Sequence, residues 1–124
     1  MIELDLSGDA PLPRAEVERL VGMALASAGV EEGHVAVSFV EPGEIVALNA
    51  RHRAKEGPTD VLSFPVDGAG PVAGHRELGD IVICPPHTED LREAVVHGAL
   101  HLVGMDHEAD DGEMLALQAE LLGW

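Results

Sequence analysis

Residues 97–107 read HGALHLVGMDH and hold three of the seven histidines of the chain, at His97, His101 and His107. Residues four apart on an α-helix share one face at about 6 Å, so the imidazoles of His97 and His101 can converge on one ion. Gly104 is suited to end such a helix in a left-handed conformation, after which the chain can turn and bring His107 to the same point. Three imidazoles with an open fourth position are typical of catalytic zinc, and we favour this over a helix that is merely rich in histidine.

The same stretch resembles the H-G-x-L-H-L-x-G-x-D-H signature of the YbeY family, bacterial metal-dependent endoribonucleases implicated in ribosomal RNA maturation. The resemblance spans roughly Glu44 to Glu120, and further segments support it. PTDVLSFP at residues 58–65 matches a family segment outright, and LGDIVIC at residues 78–84 is similar to another. LNARHR at residues 48–53 matches a third, except that a histidine stands where an aromatic residue is usual. The connection before the first metal histidine is shorter than in the family, which we expect to alter the rim of the site more than its ligands.

The resemblance implies a role for Arg53, which it places in the active site. A guanidinium suits this position because its donors form a planar fork that fits a phosphate. Four further residues are candidates for orienting a metal ligand or lining the substrate groove: Asp60, Ser63, Asp80 and Asp106. For the three aspartates the alternative is a structural role, as a turn residue, a cap or a solvated side chain.

Gly98 separates the histidine motif from that of the metzincin proteases, H-E-x-x-H-x-x-G-x-x-H, which has the same histidine spacing. In those proteases the residue after the first histidine is the general-base Glu, whereas Gly98 has no side chain that can move a proton.

The resemblance implies a zinc-dependent, single-strand-specific endoribonuclease for rRNA processing and ribosome maturation. It implies one Zn²⁺ per chain, with a metal-activated water or the substrate 2′-OH as nucleophile. Two alternatives stay open: a metal-dependent peptidase, and a non-catalytic zinc-containing ribosome assembly factor.

The composition is that of a globular protein with an aliphatic core. The chain has 124 residues, of which 46% are hydrophobic and 2% aromatic, which suits one domain. We treat residues 1–124 as a single YbeY-like metallohydrolase domain. The single Cys84 cannot form an internal disulfide, and from the sequence we expect neither a signal peptide nor a segment that spans a membrane. We therefore expect a soluble cytoplasmic protein.

The net charge of −16 argues against broad affinity for nucleic acid, because phosphate binding depends on cationic side chains. Residues 50–60 are an exception: three bases against two acids leave a local balance of +1. This small basic region can bind one phosphate on an otherwise repulsive surface. We therefore expect an RNA substrate, a ribosomal RNA precursor, bound with the help of the ribosome or a ribosome-associated protein.

Hydrophobic patterning predicts an α+β fold, a small mixed β-sheet with about four helices, in which the metal-binding helix is metzincin-like. The predicted strands are Ile2–Leu6, His34–Val40, an edge strand that ends at Pro65, and an interior strand at Leu78–Cys84. The predicted helices run from Pro13 to Gly29, from Pro42 to Arg51 or Arg53, from Glu89 to Val103 after a Thr88 cap, and onward from Asp110. Within these elements we expect His34 to be exposed and Cys84 and Met114 to be buried.

Overall fold

Strands and helices alternate from the first strand to the third along the described part of the chain, and two α-helices follow the last strand. The computed structural model describes residues 2–8, 12–53, 61–67, 76–88, 90–104 and 112–123. The described strands are β1 (Ile2–Ser7), β2 (Gly33–Phe39), β3 (Val61–Pro65) and β4 (Glu77–Ile83). The described helices are α1 (Arg14–Ser27), α2 (Pro42–Arg53), α3 (Leu91–Leu102) and α4 (Glu113–Leu122), with a short 3₁₀ helix at Pro85–His87. The predicted α+β class is confirmed.

The four strands form one mixed sheet in the order β1-β2-β4-β3. β2 is parallel to both neighbours, with Val37 opposite Leu6 on one side and Ile81 on the other. Parallel neighbours need a crossover, and α1 supplies it between β1 and β2. β3 is antiparallel to β4 and ends the order, with Ser63 opposite Ile81. The predicted interior strand and the predicted edge strand ending at Pro65 are therefore confirmed.

The two faces of the sheet bury separate sets of side chains, because successive residues of a strand point to opposite faces. Ile81 belongs to the larger cluster, where α1 and α3 lie on the sheet and α4 packs against α3. Leu62 and Val82 belong to a smaller cluster on the opposite face, where they pack with Ile45 of α2 and with Cys84. Cys84 is fully buried, as predicted. The sheet therefore lies between Ile45 of α2 and α3, the helix that carries His97 and His101.

α3 is a central, buried helix, as its wide apolar surface predicted. It contacts α1, α4, β3 and β4. Its buried residues occur along most of its length: Ala94, Val95, Val96, Gly98, Ala99, Leu100 and Leu102. Each fully buried Val or Leu side chain contributes about 1.5–3 kcal/mol through its removal from water. The packing therefore fixes the position of α3, and with it the position of any side chain that α3 presents.

The start of α3 differs from the prediction. Thr88 does not cap it; its Oγ1 donates instead to the Cys84 carbonyl at 2.7 Å. Asp90 is the cap, and its carboxylate accepts from the backbone N–H groups of Arg92 and Glu93 at 3.0 and 3.2 Å. The prediction was wrong because Thr and Asp are both good caps, and the sequence offers one of each just before α3. Spacing alone does not show that Thr88 instead bonds back to the residue before the 3₁₀ helix.

α4 completes the core on the outer side of α3. Met114 is fully buried there, as predicted. The predicted helix start at Asp110 lies outside the described residues, and the helix is described from Glu113. Among the described helices, α4 included, none is long and apolar enough to cross a membrane.

Candidate metal centre

His97 and His101 stand one turn apart on α3, and their imidazoles converge. Their Nε2 atoms lie 3.1 Å apart, and the rings meet at an interplanar angle of 79° with centroids 4.6 Å apart. Two Zn–N bonds of about 2.0–2.1 Å at a tetrahedral angle hold their nitrogens about 3.3 Å apart. The observed separation therefore fits two imidazoles that share one ion, and both side chains are only half-buried.

A buried amide contacts His97 from the side away from His101. Nδ1 of His97 lies 2.8 Å from Oε1 of Gln118 on α4. Nε2 of Gln118 donates in turn to Oε1 of Glu93, at 3.1 Å. Gln118 is 4% exposed, and it is the one polar side chain that is buried in the described part of the chain. Burial of an amide is tolerated when its hydrogen bonds are made, as they are here.

Gln118 was not predicted from the sequence, although α4 carries a signal that points to it. The apolar stripe of α4 runs through Met114, which lies in the core, and through Leu117 and Leu121, which are partly buried and pack against it. Gln118 lies four residues after Met114 and therefore shares its buried face. A polar side chain in such a stripe needs a buried hydrogen-bond partner, and that need indicates a contact with a neighbouring helix.

Gly98 allows α3 to lie directly on the sheet beside the two histidines. A β-carbon on Gly98 would lie 2.6 Å from Cγ2 of Ile81 and 3.3 Å from Oγ of Ser63. The Ser63 hydroxyl also donates to the Gly98 carbonyl at 3.1 Å, so the edge strand is joined to the helix. The sequence indicated only that Gly98 removes a general base. The structure adds that a side chain at this position has no room.

Several predicted site residues lie outside the part of the chain that is described. They are His107, Asp60 and Asp106, together with the side chain of Arg53, whose backbone ends α2. Within the described ranges, no three His, Cys, Asp or Glu side chains are placed to hold a metal ion. The described part of the candidate centre is therefore the pair of histidines on α3, two of the three proposed ligands.

Asp80 is described, and the structure does not bring it together with the histidines. Its side chain is exposed, and the alternation along β4 puts it on the same face as Val82. Ile81 points the other way, toward Gly98 and α3. A role for Asp80 in orienting a metal ligand stays a prediction, which none of these contacts supports.

A second charged cluster lies on the sheet face opposite α3. Nδ1 of His34 lies 2.8 Å from a carboxylate oxygen of Glu77, and Nε2 lies 2.7 Å from Oδ2 of Asp5. The hydrogen bonds to Glu77 and then to Asp5 raise the pKa of the His34 imidazole above its ordinary value. The side chain is 23% exposed, so the prediction that His34 is simply exposed was wrong. Both ring nitrogens already have carboxylate partners, which makes this an ion-pair cluster.

Comparisons with known proteins agree with this fold and this motif. A family model described as Endoribonuclease YbeY matches residues 8–123. The Endoribonuclease YbeY of Rubrobacter xylanophilus is 43% identical over 125 residues, which cover 95% of this chain and 89% of the relative. That of Persephonella marina is 32% identical over 92% of this chain and 84% of the relative.

A solved structure shares the architecture. The solution structure of TM1509 from Thermotoga maritima matches with a TM-score of 0.53 at 26% identity, over 96% of this chain and 86% of that one. The family match covers the histidine stretch, the edge strand and the interior strand together. The chain therefore belongs to the YbeY endoribonuclease family, as the motifs in its sequence implied.

Proposed function

We propose that the chain is a zinc-dependent, single-strand-specific endoribonuclease that acts on ribosomal RNA precursors in the cytoplasm. Its family membership makes it an endoribonuclease, a hydrolase of phosphodiester bonds. The observation that carries the metal dependence is the 3.1 Å separation of Nε2 in His97 and Nε2 in His101. Two imidazole nitrogens aimed at one point on a buried helix have little purpose in packing, but they suit a shared ion.

The proposed ligand set is His97 and His101 from α3 with His107 as the third, one ion per chain. The donors are neutral imidazoles, which suit zinc well. When bound, the metal lowers the pKa of a water molecule toward about 7 and polarises a phosphoryl oxygen. The protein's own groups must hold the ligands in place, bind the phosphate and allow the proton to be transferred.

Arg53 is proposed to bind the phosphate on which charge develops during cleavage. It ends α2, in the region where bases outnumber acids by one, while the whole chain carries −16. A guanidinium aimed at developing charge contributes more in a site of low dielectric than in water. Because the rest of the surface repels RNA, we propose that the ribosome or a ribosome-associated protein supplies much of the affinity for the substrate.

Proton transfer at this site is proposed to proceed without a general-base side chain next to the first ligand. Gly98 has none, and Ile81 fills the space that a β-carbon would need. The nucleophile is therefore either a water molecule or the substrate 2′-OH. General-base catalysis typically contributes about 10²–10⁴-fold, so we expect a modest turnover rate. The same feature opposes a peptidase with a glutamate base at this position.

The decisive experiment measures zinc per chain by elemental analysis, in the wild-type protein and in His101→Ala. The matched control is His34→Gln, which removes a histidine on the opposite face of the sheet. We expect about one zinc per chain in the wild type and the control, and loss of zinc in His101→Ala. No zinc in any of them, even after incubation with the metal, would remove the basis of the proposed mechanism.

Incubation of the zinc-loaded protein with single-stranded RNA and with an unstructured protein then separates the activities. We expect cleavage of the RNA alone. Cleavage of the protein would favour a metallopeptidase. Zinc-loaded protein that cuts neither substrate but supports ribosome assembly in reconstitution would favour an assembly factor.

A further inference from the structure

We infer that Gln118 is a positioning residue for the metal centre, which holds His97 in the tautomer whose Nε2 presents a lone pair to the ion. The inference rests on the proposed function, because it takes His97 as a ligand. Three groups stand in a row: the carboxylate of Glu93, the amide of Gln118 and the imidazole of His97. The row joins α3 to α4 and ends at the nitrogen pair shared with His101.

The direction of the hydrogen bonds in this row follows from which groups can donate and which can only accept. An ionised carboxylate only accepts hydrogen bonds, so the contact between Glu93 and Gln118 must be a donation from the amide NH₂. The amide oxygen of Gln118 then faces His97, and it too only accepts. Nδ1 of His97 must therefore carry the proton. In a neutral imidazole the lone pair then lies on Nε2, the atom that points toward His101.

Glu93 is what gives Gln118 a fixed orientation. If the amide turned over, its oxygen would face the Glu93 carboxylate and its NH₂ would face His97. The amide oxygen and the carboxylate, both acceptors, would then face each other, and Gln118 is only 4% exposed, so the mismatch would be costly. Outer partners that fix a ligating histidine in this way typically contribute about 10–100-fold to metal affinity.

Three variants test the row. Gln118→Met keeps the volume and removes the acceptor. Glu93→Gln keeps the contact but removes the group that orients the amide. The exchange E93Q with Q118E restores the row: the carboxylate at 118 accepts from Nδ1–H of His97 and from the new amide at 93. Leu122→Ala is the control for lost stability, since Leu122 packs in the core on the same helix, four residues after Gln118, and has no polar group that could orient His97.

Two readouts are needed, one of which requires no metal. Long-range ¹H–¹⁵N NMR of the metal-free protein at about pH 8 reports the tautomer of His97. Competition with a chromophoric chelator reports the zinc affinity. In the wild type we expect the Nδ1–H tautomer of His97. In Gln118→Met we expect a mixture of the two tautomers and about 10–100-fold weaker zinc binding. The double exchange should restore both the single tautomer and the zinc affinity. Glu93→Gln should also mix the tautomers, and Leu122→Ala should change neither readout.

An Nε2–H tautomer in the wild type would overturn the inference, and so would unchanged zinc affinity in Gln118→Met. Failure of the double exchange to restore affinity would show that Gln118 acts only through packing. Absence of zinc binding in the wild type would instead contradict the proposed function. The tautomer of His97 would still decide whether Gln118 orients the ring, so the two failures are distinguishable.

Discussion

Cγ2 of Ile81 lies 2.6 Å from the point that a β-carbon on Gly98 would occupy. This contact sets how closely α3 approaches the sheet. In the sequence Gly98 is one residue from His97 and three from His101. The distance between helix and sheet and the placement of the proposed ligands therefore depend on the same glycine.

Gly98→Ala should therefore destabilise the protein. Overpacking typically costs about 1–3 kcal/mol, and a helical alanine recovers about 0.5–1 kcal/mol of backbone entropy. We expect the free energy of unfolding in urea to fall by about 1–2 kcal/mol. The matched control is Gly22→Ala on α1, where a β-carbon would meet nothing within 4 Å. That variant should gain about 0.5–1 kcal/mol, and an equal gain for Gly98→Ala would contradict the packing argument.

Arg53→Ala should reduce catalysis while metal binding is retained. Removal of one donor aimed at developing charge typically lowers kcat by about 10²–10³-fold, and Arg53 is not among the proposed ligands. The measurement is the rate of cleavage of a short single-stranded RNA together with zinc per chain. Arg19→Ala is the control, because Arg19 pairs with Glu16 on an exposed face of α1. Loss of zinc in Arg53→Ala would show that its role was assigned wrongly.

Zinc should stabilise the folded protein by mass action. A ligand present at about 100 times its Kd contributes about 2.7 kcal/mol when it binds only the native state, which raises Tm by several degrees. A thermal melt with and without zinc measures this, and a chelator should reverse it. His101→Ala should show no rise. A rise of the same size in that variant would place the zinc somewhere other than between His97 and His101.

Stability should also depend on pH through His34. Its folded-state pKa is raised by Glu77 and Asp5, so protonated His34 stabilises the fold. This contribution is fully present below the unfolded-state pKa of about 6.5 and is lost as pH rises through the higher folded-state value. Urea unfolding of wild type and His34→Gln across this interval should show a difference that shrinks with increasing pH. A difference that grows instead would contradict the sign.

The elements of the fold could be predicted because each carries its own local pattern. The alternation in β1 and the apolar surface of α3 were sufficient, and the pairing of His97 with His101 followed from helical spacing alone. The identity of the α3 cap could not be predicted, because Thr88 and Asp90 compete locally on nearly equal terms.

The features that the sequence did not predict depend on tertiary neighbours. His34 has its partners on β1 and β4, and those strands flank it only because the sheet order is β1-β2-β4-β3. Gln118 contacts His97 across the packing of α4 on α3. The steric role of Gly98 likewise depends on Ile81, seventeen residues earlier in the chain.

The row from Glu93 through Gln118 to His97 also has a consequence for the order of events during synthesis. α3 leaves the ribosome before α4, since domains are made from the N-terminus onward. While α3 is already made and α4 is not, His97 has yet to meet the amide that orients it. A nascent chain therefore carries both histidines of α3 before the ring of His97 is oriented by Gln118. Under the proposed function, the ion is held more weakly until α4 docks on α3 and supplies the amide that orients His97.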